Sequence, residues 1–176
     1  INGHNIYRDS SFLKDRCGDQ EFPEFMSLVQ YPHKKGSLFS APFDNEGVKT
    51  REYAIVEDGK FERFLCDSYA ARRLGCAVTG NAGGVYNARV MTQDQMPCFS
   101  DMLHQMGTGL YVTELMGRGA NVVNGDYSRG ASGFWVECGE IAFPVEGITI
   151  AGNLADMFAG ITLLGSDIDE RSHIQS

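Results

Sequence analysis

The sequence lacks any excess of positive charge: 15 Lys and Arg stand against 23 Asp and Glu, for a net charge of −8. Phosphate-backbone binding depends on clustered cations that displace counterions, so direct nucleic-acid binding is disfavoured. Long apolar runs are also missing. The longest, at residues 141–145 and 161–164, fall far short of the roughly 20 residues that cross a bilayer as a helix, and no membrane span is expected. No charged-then-apolar leader opens the chain, which begins at Ile1 and ends at Ser176, so a fragment of a longer protein is the expectation. Cysteine is too sparse and too scattered for a framework. Cys17, Cys66, Cys76, Cys98 and Cys138 are odd in number and include no C-x-x-C pair, which suits neither a disulfide scaffold nor a zinc knuckle and fits a reducing cytoplasm.

Motifs for hydrolysis are equally short of their parts. His4, His33, His104 and His173 are scattered, none lies in an H-E-x-x-H pair, and no metal is assigned to this chain. His104 reads as a surface or half-buried histidine of a short helix. The nearest approach to a G-x-S-x-G nucleophile elbow, Gly130-Ala131-Ser132-Gly133, lacks the first glycine at the required spacing and precedes a strand rather than a helix. A Cys–His nucleophile pair stays open, because such partners meet only in the fold.

What is present is a folded-domain composition, 43% hydrophobic and 22% charged, over a length that suits a single domain spanning residues 1–176. Gly is plentiful, 21 residues where the usual share is about 7%, and it brackets short runs rich in Val, Ile, Phe and Tyr, as in a sheet-rich protein. Asp58-Gly59 between Tyr53-Ala54-Ile55-Val56 and Phe61-Glu62-Arg63-Phe64-Leu65 predicts a tight hairpin. A second hairpin is predicted over residues 133–145, turning at Glu137-Cys138-Gly139-Glu140. Further strands are expected at residues 26–30, 85–91, 110–115, 147–150 and 161–164, with residues 77–79 also strand-like. Cys66, in an apolar stretch, is expected to be a buried small hydrophobe. Asp67-Ser68 should cap a helix through Leu74 that Gly75 stops, Ser100-Asp101 a helix through Met106, and Asn153 a helix through Ala159. Strand pairs and short helices without sustained β-α-β alternation predict an α+β domain, predominantly antiparallel β-sheet with a few short helices.

Two segments are candidates for holding a ligand or peptide. The loop Gly80-Asn81-Ala82-Gly83-Gly84 lets backbone approach an anion closely, with Asn81, Gly83 and Gly84 as its contacts, although it lacks the Lys and Ser/Thr of a P-loop and more commonly serves as a sharp turn. Asp126, Tyr127, Ser128 and Arg129, ahead of the single Trp at position 135, combine a possible charge pair with a hydroxyl. The plainer alternative is that Asp126 and Arg129 brace a strand start while Trp135 fills the core.

Several long stretches together resemble the C-terminal domain of the TldD/PmbA family. They are the Asn81 to Gly84 loop, residues 107–117 (Gly-Thr-Gly-Leu-Tyr-Val-Thr-Glu-Leu-Met-Gly), residues 125–137, and Pro144-Val145-Glu146-Gly147-Ile148-Thr149-Ile150-Ala151-Gly152-Asn153 with Asp156-Met157-Phe158. Upstream, Tyr7-Arg8-Asp9-Ser10, Pro42-Phe43-Asp44-Asn45-Glu46-Gly47 and Asp67 to Gly75 are similar too, in the same order. The run Gly125-Asp126-Tyr127-Ser128-Arg129-Gly130 resembles the PmbA branch, also called TldE. The resemblance implies a cytoplasmic TldD–TldE metalloprotease assembly in which a TldD-type subunit carries zinc on an H-E-x-x-x-H helix and a later cysteine. It also implies roles in maturing a peptide microcin that attacks DNA gyrase and in degrading an antitoxin, so that gyrase is modulated indirectly. On that basis this chain is a non-catalytic partner without a cofactor of its own, paired with the TldD-type subunit or self-associated when isolated, and bound to peptides. The alternatives are a self-contained peptidase or hydrolase using a Cys–His pair, and a stand-alone ligand- or peptide-binding module.

Overall fold

A two-residue hairpin turn of type I′ needs both of its central residues at positive φ, and Asp58 and Gly59 supply 46° and 77°. The computed structural model describes residues 1–168 and 174–175. Along the chain run α1 (Gly3–Tyr7), β1 (Met26–Gln30), β2 (Tyr53–Glu57), β3 (Lys60–Phe61), α2 (Ser68–Leu74), β4 (Ala88–Thr92), α3 (Phe99–Met106), β5 (Gly109–Met116), β6 (Asp126–Glu137), β7 (Glu140–Asn153), α4 (Leu154–Ala159) and β8 (Ile174–Gln175). They fall into two compact units, one of Ile1–Asp94 with Ile168 and β8, the other of Gln95–Asp167. Sheets that are antiparallel apart from the β4–β8 pair, with short helices, give the α+β class. Among the described residues no helix is long and apolar enough to cross a membrane.

The first unit holds a five-stranded sheet in the order β3-β2-β1-β4-β8. Its core gathers Leu13, Ile55, Val56 and Phe61, flanked by Phe22, Leu28 and Phe64. The second strand of the predicted hairpin is shorter than expected. Past Phe61 the backbone turns to the chain's start, where Leu65 donates to the Ile1 carbonyl at 2.9 Å and Gly3 donates to Leu65 at 2.8 Å. Likewise β4 begins at Ala88 rather than at 85, because the buried Asn87 adopts φ 42° and breaks the extended backbone ahead of it. Residues 77–79 form no strand. In α2 both predicted caps are in place: Asp67 Oδ1 accepts the Ala70 N–H at 2.8 Å, and Gly75 closes the helix at φ 67°. Ala70 and Ala71 on its buried face pack with Cys66, which is only 1% exposed.

The second unit is built on the three-stranded sheet β5-β6-β7. The turn at Cys138 and Gly139, with φ of 54° and 80°, joins two long strands. The strand expected at 147–150 is not separate. Gly147 at φ 71° absorbs an extra residue, as the pairing steps from Gly133↔Val145 to Ala131↔Ile148, and one bulged strand continues to Asn153. Pro144 is tolerated because β7 is an edge strand. Asn153 caps α4 as expected, its Oδ1 accepting the Ala155 N–H at 3.0 Å. The start of α3 differs from the expected one. The helix begins at Phe99 with Cys98 at the N-cap position and no side-chain cap bond, after Pro97 and with the Phe99 ring seated 4.9 Å from that of Tyr111. Residues 161–164 are not a strand either, for Thr162 and Leu163 line an apolar cleft with α3 instead. Trp135 is half-buried, its indole N–H donating to Glu137 Oε1 at 3.2 Å.

Candidate functional site

The glycine loop is a turn locked from within. Asn81, 6% exposed, donates through Nδ2 to Gln30 Oε1 at 2.9 Å and to the Gly84 carbonyl at 2.8 Å, and accepts from the Tyr53 hydroxyl through Oδ1. Gly84 N–H returns to the Asn81 carbonyl at 3.0 Å. Gly83 holds φ 109°, where any side chain is strained, and a Cβ there would also push aside the Asn45 amide, 2.4 Å away. Asp44, 3% exposed, fastens the neighbouring loop by accepting the N–H groups of Glu46 and Val48 at 2.9 Å and of Ala82 at 3.0 Å. Asn81 thus shapes the loop and, with Gly83 and Gly84, lines an open cleft of about 530 Å³.

The cleft's other wall was not foreseen. His4 and Asp67 also line it, and His4 Nε2 meets Asp67 Oδ2 at 2.5 Å while Nδ1 contacts the Tyr7 hydroxyl at 3.3 Å. Tyr69 stacks on the imidazole, centroids 6.0 Å apart and planes 13° from parallel. The Ala70 N–H, and after it the His4 imidazole, hold the Asp67 carboxyl below the usual carboxylate range. A group depressed in the folded state lends stability above its unfolded value and loses it as pH falls through the folded value. Asp67→Ala should therefore cost about 1 kcal/mol at neutral pH as a lost helix cap, and the gap to wild type should narrow below about pH 4. Thermal unfolding of both proteins across pH 3–7 checks this, and a gap that widens on acidification would refute it. Sequence reasoning read Asp67 as a cap alone and His4 as isolated. With the two 63 positions apart in the chain, no local spacing signals the pair.

The remaining predicted residues lie on β6, in the second unit. The anticipated charge pair between Asp126 and Arg129 does not form, since residues three apart on a strand face opposite ways. Asp126 Oδ2 accepts from Asn124 Nδ2 at 2.6 Å, and Arg129 Nη2 donates to the Leu115 carbonyl at 2.9 Å. Ser128 N–H donates to Gly119 at 2.8 Å, and Tyr127 is half-buried. Asp126 and Ser128 thus fasten the neighbouring loop to the sheet, and Arg129 ties β6 to β5. The histidines are committed elsewhere too: His33 Nε2 contacts Thr50 Oγ1 at 3.0 Å and His104 Nδ1 the Ser100 carbonyl at 2.7 Å, so none of these bonds joins a cysteine. His173 lies outside the described residues. Among the described residues, no three His, Cys, Asp or Glu side chains gather as a metal site would require.

Against this geometry, the family model described as the PmbA/TldA metallopeptidase C-terminal domain matches residues 1–176. The chain belongs to the PmbA/TldD metallopeptidase family. It is 51% identical to the metalloprotease PmbA of Escherichia coli over 99% of its own length and 38% of that protein's. In Haemophilus influenzae it is 49% identical to the metalloprotease PmbA homolog, covering all of this chain and 39% of the relative, but only 24% identical to the TldD homolog, over 92% and 36%. The PmbA branch is the nearer one. A crystal structure from Thermotoga maritima, described as a modulator of a DNA gyrase, superposes with a TM-score of 0.90 at 37% identity, over 100% of this chain and 42% of that one. The chain thus spans about two fifths of the length of the relatives it matches.

Proposed function

We propose that this PmbA-type chain is the zinc-free, peptide-holding part of a peptidase assembly in which a TldD-type subunit supplies the metal and the bond cleavage. One observation carries the reading: the match to proteins named metalloprotease runs the full length of the chain and favours the PmbA branch, in a sequence with no H-E-x-x-x-H pair. The assembly works in the cytoplasm, in keeping with free cysteines, and its effect on gyrase is indirect, in keeping with the net charge of −8. Peptides of the microcin and antitoxin kind are its substrates. Such a peptide is held by strand addition, which needs a long edge with exposed backbone; β7 is an edge strand of 14 residues, most of them exposed.

Mixing decides it. The full-length protein alone should hold well under one zinc per chain and cleave no peptide, whereas addition of a TldD-type subunit should yield a complex with peptidase activity. In that complex, added peptide should slow hydrogen exchange of the β7 amides. Stoichiometric zinc or peptidase activity in the protein alone would overturn the reading.

A further inference from the structure

Cys66 and Cys76 bracket α2, one just before its cap and the other just after its closing glycine, and their Sγ atoms lie 3.7 Å apart. The approach is imposed by backbone. Beyond α2 the chain doubles back, and Thr79 ties itself to Cys66 three times: its N–H donates to the Cys66 carbonyl at 3.1 Å, its Oγ1 accepts the Cys66 N–H at 2.8 Å, and the same hydroxyl donates to the Cys66 carbonyl at 3.0 Å. The Cys76 N–H is itself fixed on the Ala71 carbonyl at 3.0 Å. The two thiols differ in access, Cys76 being exposed and Cys66 buried. Cys66 Sγ is pressed against α1, where a Cβ on Gly3 would stand only 2.7 Å away. A disulfide bond is about 2.05 Å long, so closure from 3.7 Å needs a side-chain rotation of one or both cysteines.

We propose that Cys66 and Cys76 form a peroxide-responsive dithiol, Cys76 being the thiol that is oxidised and Cys66 the one that resolves it into a disulfide. Hydrogen peroxide or an alkyl hydroperoxide is the oxidant. The Cys76 thiol gives up its proton, the thiolate attacks one peroxide oxygen, the O–O bond breaks, and the departing hydroxide or alkoxide takes up a proton to leave as water or alcohol, with Cys76 now a sulfenic acid. Cys66 sulfur then attacks the Cys76 sulfur, the S–O bond breaks, and the hydroxide leaves with the Cys66 proton as water. Two thiols and one peroxide become a disulfide and two molecules of water, or water and an alcohol, the peroxide accepting the two electrons that the sulfurs give up. The order follows from access, since Cys76 is exposed and Cys66 buried, and burial, with the adjacent Cys76, also pushes the Cys66 thiol up to about 12, so the exposed sulfur reacts first. The closed bridge would staple both ends of α2, and with it Asp67 on the cleft wall.

Trypsin makes the product easy to recognise, because Arg72 and Arg73 lie between the two cysteines, and cleavage there separates Cys66 from Cys76 unless a disulfide joins them. The reduced full-length protein is treated with stoichiometric hydrogen peroxide, free thiols are alkylated, and the digest is analysed by mass spectrometry. The expected product is a linked pair of peptides carrying Cys66 and Cys76, released by dithiothreitol, formed at least tenfold faster than any link involving Cys17, Cys98 or Cys138. Cys66→Ser should arrest Cys76 at a sulfenic acid that dimedone traps, and Cys76→Ser should leave Cys66 reduced. Two results would overturn the proposal. One is a Cys76 that proceeds to sulfinic acid in the wild type while Cys66 stays alkylatable. The other is a Cys66 that oxidises as fast in Cys76→Ser as in the wild type.

Discussion

Gly133→Val is expected to lower stability by about 3 kcal/mol or more, at the upper end for small-to-large substitutions, and to lower Tm by on the order of 10 °C. Gly133 is buried where β6 is paired on both sides, to Val112 of β5 and to Val145 of β7. A Cβ there would lie 2.0 Å from the Tyr111 carbonyl oxygen and 3.0 Å from the Val112 Cα. Both are backbone atoms, so no rotamer change relieves the clash and the β5–β6 ladder must part. Gly147 is the internal control. It holds φ 71°, and a Cβ added there would meet nothing within 4 Å, so Gly147→Ala should cost only about 1 kcal/mol, from backbone strain alone. Urea unfolding of the two variants separates the cases, and equal midpoints would mean that close approach at Gly133 is not what its position requires.

The same contrast explains what the sequence discloses and what it withholds. Features decided within a few residues were legible: the positive φ of Asp58-Gly59 and Cys138-Gly139, the caps at Asp67, Gly75 and Asn153. Features decided by a distant partner were not. Residues 63–65 have strand character and yet leave their hairpin for Ile1 and Gly3, and residues 161–164 are apolar and strand-like, but Thr162 and Leu163 line a cleft with α3. Two-residue β8 and five-residue α1 carry too little local signal to be seen. The site divides along the same line. Asn81, Gly83 and Gly84 announced a special loop because glycine density is a local property, and they do line the cleft. His4 faces Asp67 only because α1 and α2 pack together, with Gly3 against Cys66 and Ala70. Asp126 and Arg129 were judged by nearness in sequence, whereas strand alternation sends them to opposite faces.

Phe61→Ala should be the costliest truncation in the first unit, at about 3–5 kcal/mol. The ring is fully buried, packs with Leu13, Ile55 and Val56, and meets Phe64 edge-on at 5.2 Å. Its backbone is not at issue: Phe61 N–H donates to Asp19 at 3.0 Å and its carbonyl accepts from Gly18 at 2.7 Å, bonds that alanine keeps. The loss is thus transfer free energy plus the unfilled cavity, and Phe61→Leu, which restores most of the volume, should cost less than about 1.5 kcal/mol. Equilibrium urea unfolding measures both. A second readout follows from chain order, because residues 62–65 lead from this core directly to Cys66 and Asp67 at the cleft. If the Phe61 ring is what holds that segment in place, native-state alkylation of Cys66 should be faster in Phe61→Ala than in Phe61→Leu. Equal rates would show that the pairing with Thr79 secures Cys66 independently of the core.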